Sequence, residues 1–150
     1  MKAAVLYQAG ELPQYVDFPA PSPQNENEIA VAVKAVAIKH IDKSIASGKH
    51  YSSDAPRENG RVIGGDGICI LPDGKRVYAV GASGMLAEKA IIEKNMVVAV
   101  PDSLDDITAA ALPNAVIGAA MALRFKANGS TFQVYKWDVL FVNNIKNDYS

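Results

Sequence analysis

The chain has 150 residues, 49% of them hydrophobic and 21% charged, with a formal net charge of −1. This balance, without a cluster of basic residues, excludes a general attraction to nucleic acid or to anionic membrane surfaces. The longest apolar run, residues 109–123, is interrupted by Pro113 and falls short of the about 20 residues that span a bilayer. Because the single Cys69 cannot form an internal disulfide and the N-terminus lacks a signal-peptide core, we expect a cytoplasmic protein.

The first part of the chain predicts short strands and one short helix. Strands are expected over residues 2–7, 14–18 and 28–38, and a helix of one or two turns over residues 41–47. The run that begins at Glu28, EIAVAVKAVAI, is apolar at both alternating sets of positions. This pattern predicts a strand that is covered on both faces.

The second part predicts a closed or partly closed β-barrel followed by helices. Its strands are expected over residues 61–71, 76–80, 85–92 and 96–100. Such short strands, separated by turns such as Pro72-Asp73-Gly74, favour a barrel because closure removes exposed edges. Ser103 with Asp106 three residues later has the form of a capping box. We therefore expect a short helix after Ser103 and a second helix over residues 115–126, beyond Pro113.

Several phrases of the sequence, in their order and spacing, resemble the N-terminal domain of the medium-chain dehydrogenase/reductase superfamily. The resemblance is to its zinc-free, quinone oxidoreductase-like side and covers roughly residues 1–126. The phrases are MKAAVLY, PAPSPQNENEIAVAVKAVAIKHIDKSIASGKHY, IGGDGICILPDGKRVY, GMLAEKAIIEK and VPDSLDDITAAALPNAVIGAAMALR.

The resemblance implies a mainly β (α+β) domain over residues 1–127, a GroES-like, partly open β-barrel with short helices. In that family a nicotinamide-binding Rossmann domain follows, and the substrate lies in the cleft between the two domains. Residues 128–150 contain no G-x-G-x-x-G phosphate loop, so we expect an atypical tail with the Rossmann domain absent. NADP(H) is expected for the full-length family, and none is expected to bind to this chain alone.

The resemblance also predicts a site that works without zinc. In the zinc-dependent branch a Cys would be expected near Lys39 and a His-Glu pair near Gly65-Asp66. This chain has only one Cys and two His. Because a catalytic zinc takes about three protein ligands, we expect no metal.

The resemblance assigns five residues to the substrate and cofactor cleft: Lys39, Asp42, Tyr51, Asp66 and Asn114. Asp42 either lies in the cleft near the nicotinamide or caps a helix on a solvated turn. Lys39 is either an ammonium that attracts a phosphate or enolate oxygen, or a surface lysine.

Of the other three candidates, Tyr51 and Asn114 also keep two interpretations each. Tyr51 either donates to a substrate carbonyl and stacks on a quinone, or is an exposed loop residue. Asp66 makes a local hydrogen bond in a run whose glycines allow close backbone approach or a bulge. Asn114 either contacts ligands at the domain junction or is the N-cap of the second helix, which we favour.

Two functions from different classes follow. The first is the substrate-side domain of a zinc-independent, NAD(P)H-dependent reductase of quinones or α,β-unsaturated carbonyls. Its hydride donor would be held by a separate Rossmann-domain chain, and the apolar tail, for example Phe132 and Trp137, would cover an exposed surface within the chain or across a homodimer. The second is a non-catalytic remnant or an interaction and oligomerisation module.

Overall fold

The computed structural model describes residues 1–51, 53 and 59–126. The predicted tail of residues 128–150, with Phe132 and Trp137, lies outside this part of the chain. Among the described residues, no helix combines the length and the apolar character needed to cross a membrane.

The described residues form seven strands and two helices, arranged in a barrel and a smaller sheet. The strands are β1 (Lys2–Leu6), β2 (Gln14–Asp17), β3 (Glu28–Ala35), β4 (Arg61–Val62), β5 (Asp66–Ile70), β6 (Arg76–Gly81) and β7 (Lys89–Ala99), and the helices are α1 (His40–Ala46) and α2 (Asp106–Lys126). Strands β3, β5, β6 and β7 close an antiparallel barrel, while β2, β1 and β4 form a separate three-stranded sheet. The predicted mainly β barrel is confirmed.

The central barrel strands are covered on both faces. Alternate side chains of β5 and β6, such as Cys69 and Val77, point into the barrel core. Their neighbours Ile68 and Tyr78 pack outside the barrel against Ala109 of α2. Strand β3 was predicted to be covered on both faces, but its residues Ala30 and Ala32 are exposed, so that prediction is wrong over the first half of the strand.

The strand predicted over residues 61–71 is two strands in different sheets. Strand β4 pairs with β1, whereas β5 pairs with β3 and β6. The chain changes direction at Gly64, whose φ of +94° lies in the region that L side chains rarely adopt. Conversely, the two strands predicted over residues 85–100 are replaced by the single long strand β7.

Helix α2 is continuous, although Pro113 was predicted to separate two helices. It begins after Asp105, whose Oδ1 accepts a 2.9 Å hydrogen bond from the Thr108 N–H, so the predicted cap at Ser103 is wrong. Pro113 lies inside the helix and is buried. Asn114 follows it within the helix, so its predicted role as an N-cap is wrong as well.

A single arginine fixes the start of α2 on the barrel. The guanidinium of Arg76 in β6 donates to the carbonyl oxygens of Pro101 and Leu104, the latter at 2.7 Å. It also pairs with the Asp106 carboxylate at 2.9 Å. These contacts hold the β7–α2 connection over the outer face of the barrel, where Tyr78 lies.

Candidate functional site

Asp42 connects α1 to the turn between β4 and β5. Its Oδ2 accepts a 2.8 Å hydrogen bond from the Lys39 N–H, and its Oδ1 accepts one of 3.1 Å from the Gly65 N–H. The first bond caps the start of α1. The reciprocal bond of a capping box cannot form, because the Lys39 ammonium has no lone pair with which to accept a hydrogen bond from the backbone. Asp42 is only 7% exposed, so it caps α1 from a buried position and the interpretation as a solvated turn is wrong.

Lys39 forms a buried ion pair with Asp66. Its Nζ contacts Asp66 Oδ1 and lies 3.9 Å from Asp42 Oδ2. Both side chains of the Lys39–Asp66 pair are 11% exposed, so the interpretation of Lys39 as a surface lysine is wrong. Burial lowers the pKa of Lys39 below 10.5, while the nearby Asp42 carboxylate opposes that shift.

Tyr78 completes this group, and the sequence analysis did not identify it. Its hydroxyl donates to Asp66 Oδ2, opposite the oxygen that contacts Lys39. In the register of β5 and β6, Asp66 lies opposite Val80, which places Tyr78 diagonally beside Asp66 on the same outer face. Burial raises the pKa of Tyr78 above 10.0, and the Asp42 carboxylate adds to the shift. The register of β5 and β6, counted from the Pro72-Asp73-Gly74 turn between them, could have identified the Tyr78–Asp66 pair.

The glycine run before β5 makes close packing possible, as predicted. A Cβ at Gly67 would lie 2.5 Å from the carbonyl oxygen of Ala35, which only glycine allows without a shift of the backbone. The run leads into β5 and not into a helix, so it does not have the form of a phosphate loop.

A cavity of about 450 Å³ opens beside Asp42. Its wall includes Met1 and Phe18 from the N-terminal segment, Asp42 and Ile45 from α1, and residues 60–65 and 81–84. Lys39, Asp66 and Tyr78 lie behind this wall, connected to it through Asp42 and Gly65. Three of the predicted site residues, Lys39, Asp42 and Asp66, therefore come together at one place.

The other two predicted site residues lie apart from this group. Tyr51 is 95% exposed, and its ring centroid is 4.3 Å from that of His50. Asn114 is exposed on α2. Their roles toward a ligand stay predictions.

The described part of the chain contains no group of three or more His, Cys, Asp or Glu side chains placed to hold a metal ion. Cys69 is fully buried in the barrel core, where burial raises the pKa of its thiol to about 12. The expectation of a zinc-independent site stays a prediction.

Comparison with solved structures identifies similar folds. No protein-family model and no curated protein sequence matches the chain. The quinone oxidoreductase of Thermus thermophilus, solved alone and with NADPH, matches 89% of this chain with 28% identity and a TM-score of 0.77. The human synaptic vesicle membrane protein VAT-1 homolog-like protein matches 89% with 26% identity and a TM-score of 0.74. A mycobacterial protein complexed with NADPH matches 83% with 25% identity and a TM-score of 0.70.

The chain spans less than half of each of these structures. It covers 43% of the Thermus chain, 45% of the human chain and 41% of the mycobacterial chain. The fold of the described residues agrees with the resemblance found in the sequence. The described residues therefore have the fold of the N-terminal, GroES-like domain of quinone oxidoreductases in the medium-chain dehydrogenase/reductase superfamily.

Proposed function

We propose that this chain forms the substrate side of a zinc-independent, NADP(H)-dependent oxidoreductase that reduces quinones or α,β-unsaturated carbonyls. The observation that carries the proposal is the match, over 89% of the chain, to a quinone oxidoreductase solved with NADPH. Supporting it, three of the five expected cleft residues meet beside a cavity of about 450 Å³. That volume accommodates an acceptor of one or two rings.

The described residues lack one common kind of phosphate site for a dinucleotide. That site is a glycine-rich loop that leads into a helix N-terminus. Helix α1 follows Ile38-Lys39 and α2 follows Leu104-Asp105, so neither described helix begins at such a loop. We infer that the cofactor is held by residues outside the described part or by a second chain, and that it supplies the hydride when bound.

In this proposal the chain's own residues bind and orient the acceptor. Gly64 and Gly65 let the ring approach the backbone on one side of the cavity, and residues 81–84 form another part of its wall. Asp42 presents a carboxylate at this wall, and the Lys39 ammonium lies behind it, paired with the Asp66 carboxylate. This arrangement fixes charges around the reacting ring before the acceptor binds.

The outer face of α2 supports a partner for this domain. Three of its apolar side chains, Ile107, Ile117 and Met121, are exposed. Exposed apolar side chains gain free energy when a partner covers them. We propose that a nicotinamide-binding chain or a second copy of this chain packs against this face.

The test is an amide NMR titration of the purified chain, whose 15.9 kDa suits this method. We expect 2,6-dimethyl-1,4-benzoquinone to shift the amide signals of Gly64, Gly65 and Gly84 at the cavity. NADPH alone is expected not to saturate the chain at millimolar concentration. A non-catalytic module would show no quinone-dependent shifts at the cavity, and that result would contradict the proposal.

A further inference from the structure

Among the described residues of the cavity wall, Asp42 supplies the one carboxylate, in largely apolar and glycine-rich surroundings. Two other polar side chains in the wall form hydrogen bonds to the protein. The Arg61 guanidinium donates to the Ile45 carbonyl at 3.2 Å, and Ser83 Oγ accepts from the Ile91 N–H at 2.9 Å. Asp42 is therefore the charged hydrogen-bond acceptor of this wall.

A carboxylate at this position accepts hydrogen bonds and cannot donate them. Its two oxygens together offer about four lone-pair sites, and the backbone N–H groups of Lys39 and Gly65 occupy one on each oxygen. Acceptor capacity remains for a ligand. A ligand oxygen that only accepts, such as a carbonyl or an ether, gains no hydrogen bond there, whereas a hydroxyl gains a charge-assisted one.

Gly65 leaves space beside this carboxylate. A Cβ built at Gly65 would lie 3.6 Å from Asp42 Oδ1, which is ordinary van der Waals contact. The backbone of Gly65 therefore tolerates a methyl group, and the natural residue leaves that space open beside the acceptor atom. Gly65 itself belongs to the cavity wall.

We propose that the cavity selects flat rings that carry a hydroxyl group, with the hydroxyl donating to Asp42 and with Gly65 as the residue that leaves room for it. The inference rests on the proposed function and narrows its substrate class to hydroxylated quinones and their reduced, hydroquinone forms. A ring of the same shape with a methoxy group in place of the hydroxyl is a poor ligand.

The experiment compares two probes on the full chain at pH 7, 2-naphthol and 2-methoxynaphthalene, which share the ring system but in which an O-methyl group replaces the hydroxyl hydrogen. Dissociation constants come from amide NMR titration. We expect 2-naphthol to bind at least about tenfold more tightly, as a hydrogen bond to a charged group predicts. Its largest shifts are expected at Gly64 and Gly65. Equal affinities, or shifts confined to residues outside the cavity, would overturn the proposal.

A pair of matched glycine variants tests the role of Gly65. Gly65→Ala places a methyl group beside Asp42 Oδ1, and we expect it to lower the 2-naphthol affinity about tenfold, to the level of the ether. Gly118→Ala adds the same methyl group on α2, where nothing lies within 4 Å, and is expected to bind like the natural chain. A folded Gly65→Ala protein that keeps the full preference for 2-naphthol contradicts the assignment of Gly65. The two-probe comparison on the natural chain does not depend on the folding of either variant.

The outcomes separate this inference from the proposed function, because probe binding needs neither cofactor nor turnover. If the barrel reduces quinones when a cofactor-binding partner is supplied but shows no preference for the hydroxyl probe, the inference is wrong. The proposed function is then still supported. A clear preference for 2-naphthol at the cavity supports the inference even where no reduction can be measured.

Discussion

At the residue scale, the buried charges beside the cavity are held because each has a partner. Burying an ionised side chain is costly unless it is paired and hydrogen-bonded. Asp66 meets that condition by accepting from Tyr78 on one oxygen and pairing with Lys39 on the other. Lys39 in turn lies between the carboxylates of Asp66 and Asp42. Removing one member should therefore leave a buried charged or polar group without its partner.

The substitution Tyr78→Phe tests this dependence. It keeps the ring that packs on α2 but leaves Asp66 Oδ2 buried without that donor. We expect the free energy of unfolding to fall by about 1–3 kcal/mol, measured by urea denaturation at pH 7. Tyr15→Phe removes a hydroxyl from a side chain that is 76% exposed and is expected to leave stability unchanged. Equal stability of Tyr78→Phe and the natural protein would show that the bond to Asp66 contributes nothing.

The stability difference between Tyr78→Phe and the natural protein is also expected to depend on pH, in a direction that the pKa of Tyr78 determines. The pKa of Tyr78 is raised above 10.0 in the folded state, so folding favours the protonated hydroxyl. Its contribution is fully present below pH 10 and is lost as the pH rises through the folded-state pKa. The stability difference between the natural protein and Tyr78→Phe should therefore narrow above pH 10. If the difference in stability between the two proteins stays constant or widens between pH 9 and 11, the assignment of the protonated Tyr78 hydroxyl as the donor to Asp66 is contradicted.

At the element scale, Arg76 anchors the start of α2 to the barrel. Its guanidinium satisfies two carbonyl oxygens and one carboxylate around the start of the helix. Lysine keeps the charge but lacks the planar fork of donors that reaches all three. The start of α2 therefore depends on the shape of this side chain as well as on its charge.

The substitution Arg76→Lys is expected to lower the free energy of unfolding by about 1–3 kcal/mol, and to speed amide hydrogen exchange in the first turns of α2. Lys89→Gln, which changes an exposed charge on β7, is the matched control and should leave both quantities unchanged. If exchange in α2 is as slow in Arg76→Lys as in the control, Arg76 does not anchor the helix.

The elements also show what the sequence predicts and what it does not. Alternating apolar residues and turn signals predicted the barrel, because both depend on local pattern. The break at Pro113 was predicted wrongly because packing of Ala109 and Ala110 on Ile68 and Tyr78 holds the helix in place.

The candidate site was predictable only in part. Family resemblance pointed to Lys39, Asp42 and Asp66, but nothing in the sequence showed that Lys39 would be buried. Tyr78 was missed because its partner depends on strand register, which a local pattern does not give. Tyr51 was also proposed for a pocket from the family resemblance, and its side chain is exposed.

At the scale of the whole molecule, the proposed function puts substrate binding in the barrel and cofactor binding elsewhere. The described residues that wall the cavity all lie within residues 1–84, and apolar side chains of α2 are exposed. The proposal therefore requires that a hydride donor be brought to the cavity from outside the described residues.

The most direct measurement is the quinone-dependent oxidation of NADPH by a hybrid chain. The hybrid joins residues 1–126 of this protein to the part of the Thermus quinone oxidoreductase that this chain does not cover. We predict that, with 2,6-dimethyl-1,4-benzoquinone present, the hybrid oxidises NADPH at least about tenfold faster than that Thermus part alone, a transition-state stabilisation of about 1.4 kcal/mol or more. A hybrid that folds and binds NADPH but oxidises it no faster with quinone would contradict the claim that this barrel is the substrate side of such an enzyme.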